Sequence, residues 1–239
     1  MLELPTRHVH LWCLTMDCSP FDLAFWASLL CADERVRADR LRHQRDRRFF
    51  IWYRGNVRRI LASYCGSAPQ ALRFRTGRFG KPELADPFDM HQLRFSISHS
   101  GNRLAIAIVR ASEVGVDIEQ IRPMPDLPDL VDSVFSGREQ SLFRSLEESS
   151  RLPTFFSVWA QKEAYLKARG LGLNRPPRDI DVGLFPVEGA GLIRDGWDSS
   201  ATKQWSLMAW PPVQSYATAL AVEGQHWRID HMAEDSLPL

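Results

Sequence analysis

Apolar and polar positions in the first part of the chain predict one strand followed by helices. Residues 9–14 alternate loosely between apolar and polar side chains, as a half-buried strand does. Apolar residues then recur at helical spacing over 19–40. A long helix is expected over 45–64, because Gly66 and Pro69 follow it and end helices well.

The rest of the chain combines hairpins, helices and short strands. Residues 93–109 have the pattern of a β-hairpin, and 114–118 alternate as a further strand before three prolines between 123 and 128 break the chain. Helices are expected over 138–146 and 154–169, and short strands near 180–184, 205–210, 217–222 and 227–229. This mixed order predicts an α+β fold rather than a doubly wound parallel sheet.

The net charge of +1 conceals an uneven distribution of charge along the chain. Residues 1–111 contain 18 Lys and Arg against 10 Asp and Glu, whereas residues 112–239 contain 12 against 19. This division predicts a boundary near residue 111, with a basic half that handles an anion and an acidic half that handles a cation. The alternative is that the two halves only attract each other across a solvated interface.

Cysteine usage and hydropathy exclude several classes of protein. The four cysteines form no CxxC pair and no Cys/His zinc spacing, which indicates reduced thiols and a cytoplasmic location. The N-terminal residues lack the pattern of a signal peptide, and no apolar run approaches the ~20 residues of a membrane helix. We therefore expect a cytoplasmic protein without a membrane span.

Two carboxylates share one face of the strand predicted over 114–118. Asp117 and Glu119 alternate with apolar residues and lie beside Gly115, which has no side chain. Two such carboxylates repel each other unless a cation lies between them, and their hard oxygen atoms suit Mg²⁺. The alternative is an exposed strand edge with solvated acids.

The helix predicted over 154–169 carries charged residues on its apolar stripe. Lys162 and Glu163 stand where helical spacing would place apolar residues, and Lys167 shares the face of Glu163 at i,i+4. Charges in such positions are costly unless they have partners or a function. A third carboxylate beside a lysine would serve a Mg²⁺–phosphate site, while an ordinary surface ion pair with an extended Lys162 is the alternative.

Ten arginines lie between Arg35 and Arg59, with aromatic residues among them. This pattern allows a nucleic-acid-binding module, but four acidic residues dilute it and the aromatic residues fall on the expected core face of the helix. A phosphate-rich cofactor or an acidic protein partner would use the same arginines. Further along, Lys81 occupies a rigid turn, and Ser98 and His99 lie at a hairpin tip where His99 can donate to a phosphate.

Taken together, these segments resemble the 4′-phosphopantetheinyl transferases, specifically the long, monomeric type that serves peptide and polyketide synthases. The resemblance covers about residues 35–185 and depends on four motifs in order: 79–82 (FGKP), 95–100 (FSISHS), 115–119 (GVDIE) and 159–167 (WAQKEAYLK), the last closed by 170–173 (GLGL). It implies two similar α/β halves related by a pseudo-twofold, with coenzyme A in the cleft between them.

The resemblance also implies an activity and a set of site residues. The enzyme would transfer the 4′-phosphopantetheine group of coenzyme A to a serine of an apo acyl or peptidyl carrier protein and release 3′,5′-ADP. Mg²⁺ would be held by Asp117, Glu119 and Glu163, and coenzyme A by Arg45, Lys81, Ser98, His99, Lys162 and Lys167. As a mechanistic hypothesis, Glu163 takes the serine proton and Lys167 assists the departing 3′,5′-ADP.

Two other functions stay open at this stage. A nucleic-acid-binding module would use the arginine-rich helices, and a coenzyme A sensor would keep the fold without catalysis. The intact set of Asp117, Glu119 and Glu163 argues against the sensor.

Overall fold

A computed structural model of the chain describes residues 1–16, 22–77, 80–172, 175–184, 191–213 and 215–237. Phe79 and Leu173, which belong to two of the sequence motifs, lie outside the described residues. The first half contains strand β1 (His8–Thr15), helices α1 (Asp22–Ser28), α2 (Ala32–Asp39) and α3 (Gln44–Cys65), and strands β2 (Phe74–Thr76), β3 (Pro82–Leu84), β4 (Leu93–Ser100) and β5 (Arg103–Arg110).

The second half repeats the sequence of a strand, helices and a hairpin. It contains strand β6 (Val114–Gln120), helices α4 (Leu127–Val134), α5 (Gly137–Arg144) and α6 (Glu148–Ala168), strands β7 (Ile180–Val182) and β8 (Leu192–Asp195), helix α7 (Ala201–Gln204), and strands β9 (Trp205–Val213), β10 (Tyr216–Glu223) and β11 (Arg228–Met232). The α+β class predicted from the sequence is confirmed. No helix within the described ranges is both long and apolar enough to cross a membrane.

The two main sheets have the same strand order. In the first sheet β5 lies between β1 and β4, and in the second β10 lies between β6 and β9, with all of these pairs antiparallel. Each hairpin therefore adds its second strand to the strand that opened its half. The expected similarity of the two halves is present at the level of topology.

The last strand departs from the division at residue 111. β11 belongs to the acidic half by sequence, yet it pairs parallel with β1 and completes the first sheet, from His8 opposite Arg228 to Trp12 opposite Met232. A third apolar cluster, made by residues of β1, β5, β6 and β10, packs side chains of the two halves together. The halves are thus two repeats of one topology rather than two separable segments.

The long helices fill the cores of the two halves. α3 buries Trp52, Val57 and Ile60 against the first sheet, and α6 buries Val158 and Leu166 in the second core. Gly66 ends α3 in the left-handed conformation at φ 60°, as the sequence predicts.

Two local expectations were wrong. The helix predicted over 19–40 is divided into α1 and α2, with Cys31 as the N-cap of the second. The proline-rich segment contains α4, because Pro128 lies in the first turn of that helix, where its missing N–H costs nothing. The aromatic residues Phe49 and Tyr53 pack against the first core as expected, but they are only half-buried because they also line a cavity.

Candidate active site

The backbones of β6 and α6 touch at Gly115. A Cβ atom at this position would lie 1.9 Å from the Ala164 carbonyl oxygen and 2.4 Å from the Ala168 nitrogen, so only glycine fits. This contact sets the acidic strand against the helix face that carries Glu163 and Lys167. Gly115 therefore brings the two motifs singled out by the sequence into one site.

Asp117 is the most enclosed acid of this site, with 2% of its surface exposed. Its Oδ1 accepts hydrogen bonds from the Ser98 hydroxyl at 2.7 Å and the Lys167 ammonium at 2.6 Å, and that ammonium also donates to Ser98 Oγ at 3.0 Å. The Oδ2 atom of Asp117 is buried without a partner. The structure thus brings together Ser98, Asp117 and Lys167, three of the residues expected in the site.

Glu163 and Glu119 interact electrostatically with the negatively charged Asp117. Burial raises the pKa of Glu163 to about 7, Asp117 and Glu119 push that pKa in the same direction, and Lys167 opposes them. Burial and Asp117 also raise the pKa of Glu119, whose Oε2 accepts a hydrogen bond from Ser100 Oγ at 2.8 Å. The Oε1 atom of Glu163 is buried and has no hydrogen-bond partner.

These carboxylates have the chemistry of a site for a hard divalent cation. Two buried oxygen atoms without partners, Asp117 Oδ2 and Glu163 Oε1, are donors of the kind that Mg²⁺ prefers, and a cation beside them would reverse the rise in carboxyl pKa. Among the described residues, no three His, Cys, Asp or Glu side chains converge on one point as a ready metal cluster. The carboxylate oxygen atoms are suitable ligands for Mg²⁺. In this structure the Lys167 ammonium neutralises the Asp117 carboxylate.

A cavity of about 1060 Å³ opens beside this acidic site, on the side of the first half. Its walls combine cationic and aromatic side chains, among them Arg37, Arg45, Arg54, Arg75, Phe49, Phe50, Tyr53, Phe74 and His99. Such a lining suits a ligand that has both anionic groups and a planar ring. Arg45 and His99, two of the residues expected to bind coenzyme A, both line this cavity.

His99 connects the cavity with the acidic site. Its ring lies in the cavity wall, with ring centroids 5.2 Å from Phe49 and 5.1 Å from Tyr53. Partial burial lowers the pKa of His99, and the nearby Lys167 ammonium lowers it further. The imidazole can therefore present a neutral hydrogen-bonding edge to an anionic ligand near pH 7.

Lys81 lies outside the large cavity. Its ammonium donates to Glu113 Oε2 at 2.6 Å and to the Val114 carbonyl at 3.1 Å. It lines a smaller cleft of about 210 Å³ together with Lys167 and Gly170. Lys81 and Lys167 thus share a cleft, but Lys81 already has a carboxylate partner.

Lys162 lies apart from the other candidate residues. Its position contradicts the expected contact with phosphate. It is fully buried, and its ammonium donates to Glu139 Oε2 at 2.5 Å, to the Val134 carbonyl at 2.7 Å and to the Pro177 carbonyl at 3.1 Å. Since these bonds use all three ammonium hydrogens, Lys162 ties the end of α4, α5 and the turn at Pro177 to the back of α6. Its role is structural.

The sequence did not identify two residues that contact the site, Ser100 and Trp159. Ser100 holds Glu119, and Trp159 also hydrogen-bonds to that carboxylate. The alternation of Ser96, Ser98 and Ser100 along β4 is a signal in the sequence that predicts hydroxyls on one face, although it does not identify what they meet.

Known proteins resemble this chain over most of its length. Residues 113–221 match the family model of the 4′-phosphopantetheinyl transferase superfamily. The chain is 36% identical to the 4′-phosphopantetheinyl transferase HetI of Nostoc sp. over 227 residues, which is 95% of this chain and 92% of that protein. It is 28% identical to the 4′-phosphopantetheinyl transferase Sfp of Bacillus subtilis over 157 residues, 66% of this chain and 67% of that protein.

Proposed function

Because this chain belongs to the 4′-phosphopantetheinyl transferase superfamily, we propose that it transfers the 4′-phosphopantetheine group of coenzyme A to a serine of an apo acyl or peptidyl carrier protein. The observation that carries this proposal is the group formed by Asp117, Glu163 and Lys167 at the junction of β6 and α6. It combines buried carboxylate oxygens without partners and one ammonium group beside a cavity rich in arginine. A pyrophosphate and a metal ion would complement these charges.

The basic half would bind the nucleotide part of coenzyme A. Arg45 and the other arginines of the cavity would pair with its phosphates, and His99 would donate to a phosphate oxygen. The aromatic rings of Phe49 and Tyr53 offer a surface for the adenine ring. Lys81 would contact phosphate only by leaving Glu113, so its contribution is secondary.

The acidic half would hold the metal ion. Asp117, Glu119 and Glu163 would bind Mg²⁺ through their carboxylate oxygens. When bound, Mg²⁺ would neutralise negative charge on the pyrophosphate oxygens.

The residues of this chain would then handle one proton and the leaving group. Glu163 would accept the proton of the carrier serine, directly or through water, as the serine oxygen bonds to the β-phosphorus of coenzyme A. The bond from that phosphorus to the bridging oxygen breaks, and 3′,5′-ADP departs with the electron pair. Lys167 would stabilise or protonate the departing oxygen, with the α6 helix holding Glu163 and Lys167 one turn apart.

The proposed setting is the cytoplasm, with the protein acting as a monomer. Cys13, Cys31 and Cys65 are free thiols, which suits a reducing compartment. Within one chain, both the cavity and the acidic site are formed without a second copy.

Mass spectrometry of intact carrier proteins tests the proposal. Apo acyl and peptidyl carriers incubated with the enzyme, coenzyme A and Mg²⁺ should gain the mass of one phosphopantetheine group, and EDTA should abolish the gain. Asp117→Ala and Glu163→Gln should each lower the rate by about 100-fold or more. Glu148→Gln is the matched control, because Glu148 is an exposed acid in the first turn of the same helix.

Two results would contradict the proposal at different points. A lack of transfer to every carrier would refute the activity. Nearly full activity of Glu163→Gln at saturating Mg²⁺ would refute the assignment of Glu163 as the proton acceptor and leave the transfer itself standing.

A further inference from the structure

The two main sheets meet along their edge strands β4 and β6. The described ranges include both strands in full, and no backbone ladder joins them. Their contacts advance together along the chain, from Ser96 with Val116 to Ser100 with Gln120, so the strands run in the same direction. The junction that carries the acidic site therefore depends on side chains.

Three alternate serines of β4 replace the missing ladder. Ser96 Oγ accepts a hydrogen bond from the Val116 backbone nitrogen at 3.1 Å. Ser98 Oγ donates to Asp117 Oδ1 at 2.7 Å. Ser100 Oγ accepts from the Gln120 nitrogen at 3.1 Å and donates to Glu119 Oε2 at 2.8 Å.

Ser100 differs from the other two because it connects a backbone nitrogen to a carboxylate. Its hydroxyl accepts from a fixed N–H of β6, which leaves its own hydrogen directed at the Glu119 carboxylate. A glutamate side chain has three rotatable bonds, so a fixed donor at its end removes much of its freedom. Glu119 is thereby kept on the site face of β6.

The next residues of the hairpin hold Ser100 in place. A Cβ atom on Gly101 would lie 2.4 Å from Tyr216 Oη, and the same hydroxyl donates to Asn102 Oδ1 at 2.9 Å. The tip of the β4–β5 hairpin is thus attached to β10 of the other half. Ser100 lies between this attachment and the Ser98–Asp117 contact, with little room to move.

We propose that Ser100 is a positioning residue that holds the Glu119 carboxylate ready for the metal ion, while Ser96 serves only to join the strands. This inference rests on the proposed function, because it assigns Glu119 to metal binding. Partners that orient metal ligands through hydrogen bonds contribute about 10- to 100-fold to metal affinity. Ser96 is the natural comparison, since it lies on the same strand face and its hydroxyl accepts a hydrogen bond from the backbone of β6 instead of holding a carboxylate.

The test measures metal binding separately from catalysis. Mn²⁺ binding to the full-length protein with coenzyme A is followed by the electron paramagnetic resonance signal of free Mn²⁺, and the Mg²⁺ concentration for half-maximal transfer is measured in parallel. Ser100→Ala should weaken both by about tenfold. Ser100→Thr, which keeps the hydroxyl, and Ser96→Ala should both stay within about twofold of the wild type.

The outcomes separate positioning from mere stability. Thermal melting shows how far each variant remains folded. A positioning role requires that Ser100→Ala weakens Mn²⁺ binding more than Ser96→Ala does, beyond any difference in their stability. The inference would be overturned if the two alanine variants had the same metal dependence, or if Ser100→Thr did not keep the metal affinity of the wild type. Transfer by the wild type would still uphold the proposed function. Absence of both Mn²⁺ binding and transfer in the wild type would overturn the function and this inference with it.

Discussion

Replacing Gly115 by alanine should force β6 away from α6. The added Cβ atom would lie 1.9 Å from the Ala164 carbonyl oxygen, whereas real Cβ atoms essentially never approach other atoms closer than 3.0 Å. The strand and the helix must therefore separate by about 1 Å, because backbone atoms on both sides leave no side chain to rotate away. The second neighbour, the Ala168 nitrogen, blocks a simple shift along the helix.

This separation should affect activity more than folding. Excess volume in a packed interior costs about 1–3 kcal/mol, and the rigid contact at Gly115 places this variant near 3 kcal/mol. A displacement of about 1 Å between catalytic groups can cost about 100-fold in rate, since Glu163 and Lys167 would move away from Asp117 together. We expect a folded enzyme with a transfer rate lowered by about 100-fold.

Urea unfolding and the steady-state rate of carrier modification measure the two effects. Gly137→Ala is the control, because no atom lies within 4 Å of its added Cβ and its position in α5 accepts alanine. It should keep the wild-type rate. Wild-type stability together with a rate within about threefold of the wild type in Gly115→Ala would refute the reasoning that this contact aligns the site.

Three further substitutions test other parts of the structure. Lys162→Met should destabilise the fold by about 3–5 kcal/mol in urea unfolding, because it leaves the buried Glu139 carboxylate without its cationic partner; a loss below about 1 kcal/mol would contradict this. Burial raises the pKa of Glu34, but its partners Arg58 and Arg54 outweigh that effect and hold the pKa below 4.5. The ionised Glu34 therefore stabilises the fold above pH 4.5, and this stabilisation is lost as the pH falls through the folded-state pKa. The stability difference between the wild type and Glu34→Gln should therefore shrink in urea unfolding below pH 4.5, and a constant difference would argue against it. Arg45→Ala should raise the KM for coenzyme A by about tenfold, whereas Arg47→Ala, which removes a surface partner of Asp39, should not.

The elements that the sequence predicts well are those whose periodicity is decided locally. The long helix around Trp52, the β4–β5 hairpin and the strand at Asp117 each place apolar residues at one spacing over many positions, and all three were found. The pairing partner of β11 lies more than 200 residues away, so no local pattern indicates it. Such long-range pairings are decided by the assembled core.

The candidate site shows the same limit. Charges on the apolar stripe of α6 were expected to have partners or a function, and the two neighbours divide between these roles. Glu163 faces Asp117, while Lys162 faces Glu139, which lies 23 residues earlier in the sequence. One residue step turns a helix by about 100°, so neighbours point to different sides of α6, and only the fold shows which side meets which partner.

The pairing of β11 with β1 has a consequence for the order in which the protein folds during synthesis. β1 leaves the ribosome long before the strand that covers one of its edges, because that strand is made from residues 228–232. Until those residues emerge, β1 has an unpaired edge that can pair with strands of other nascent chains. The growing chain therefore has to protect this edge of β1 until residues 228–232 have been made.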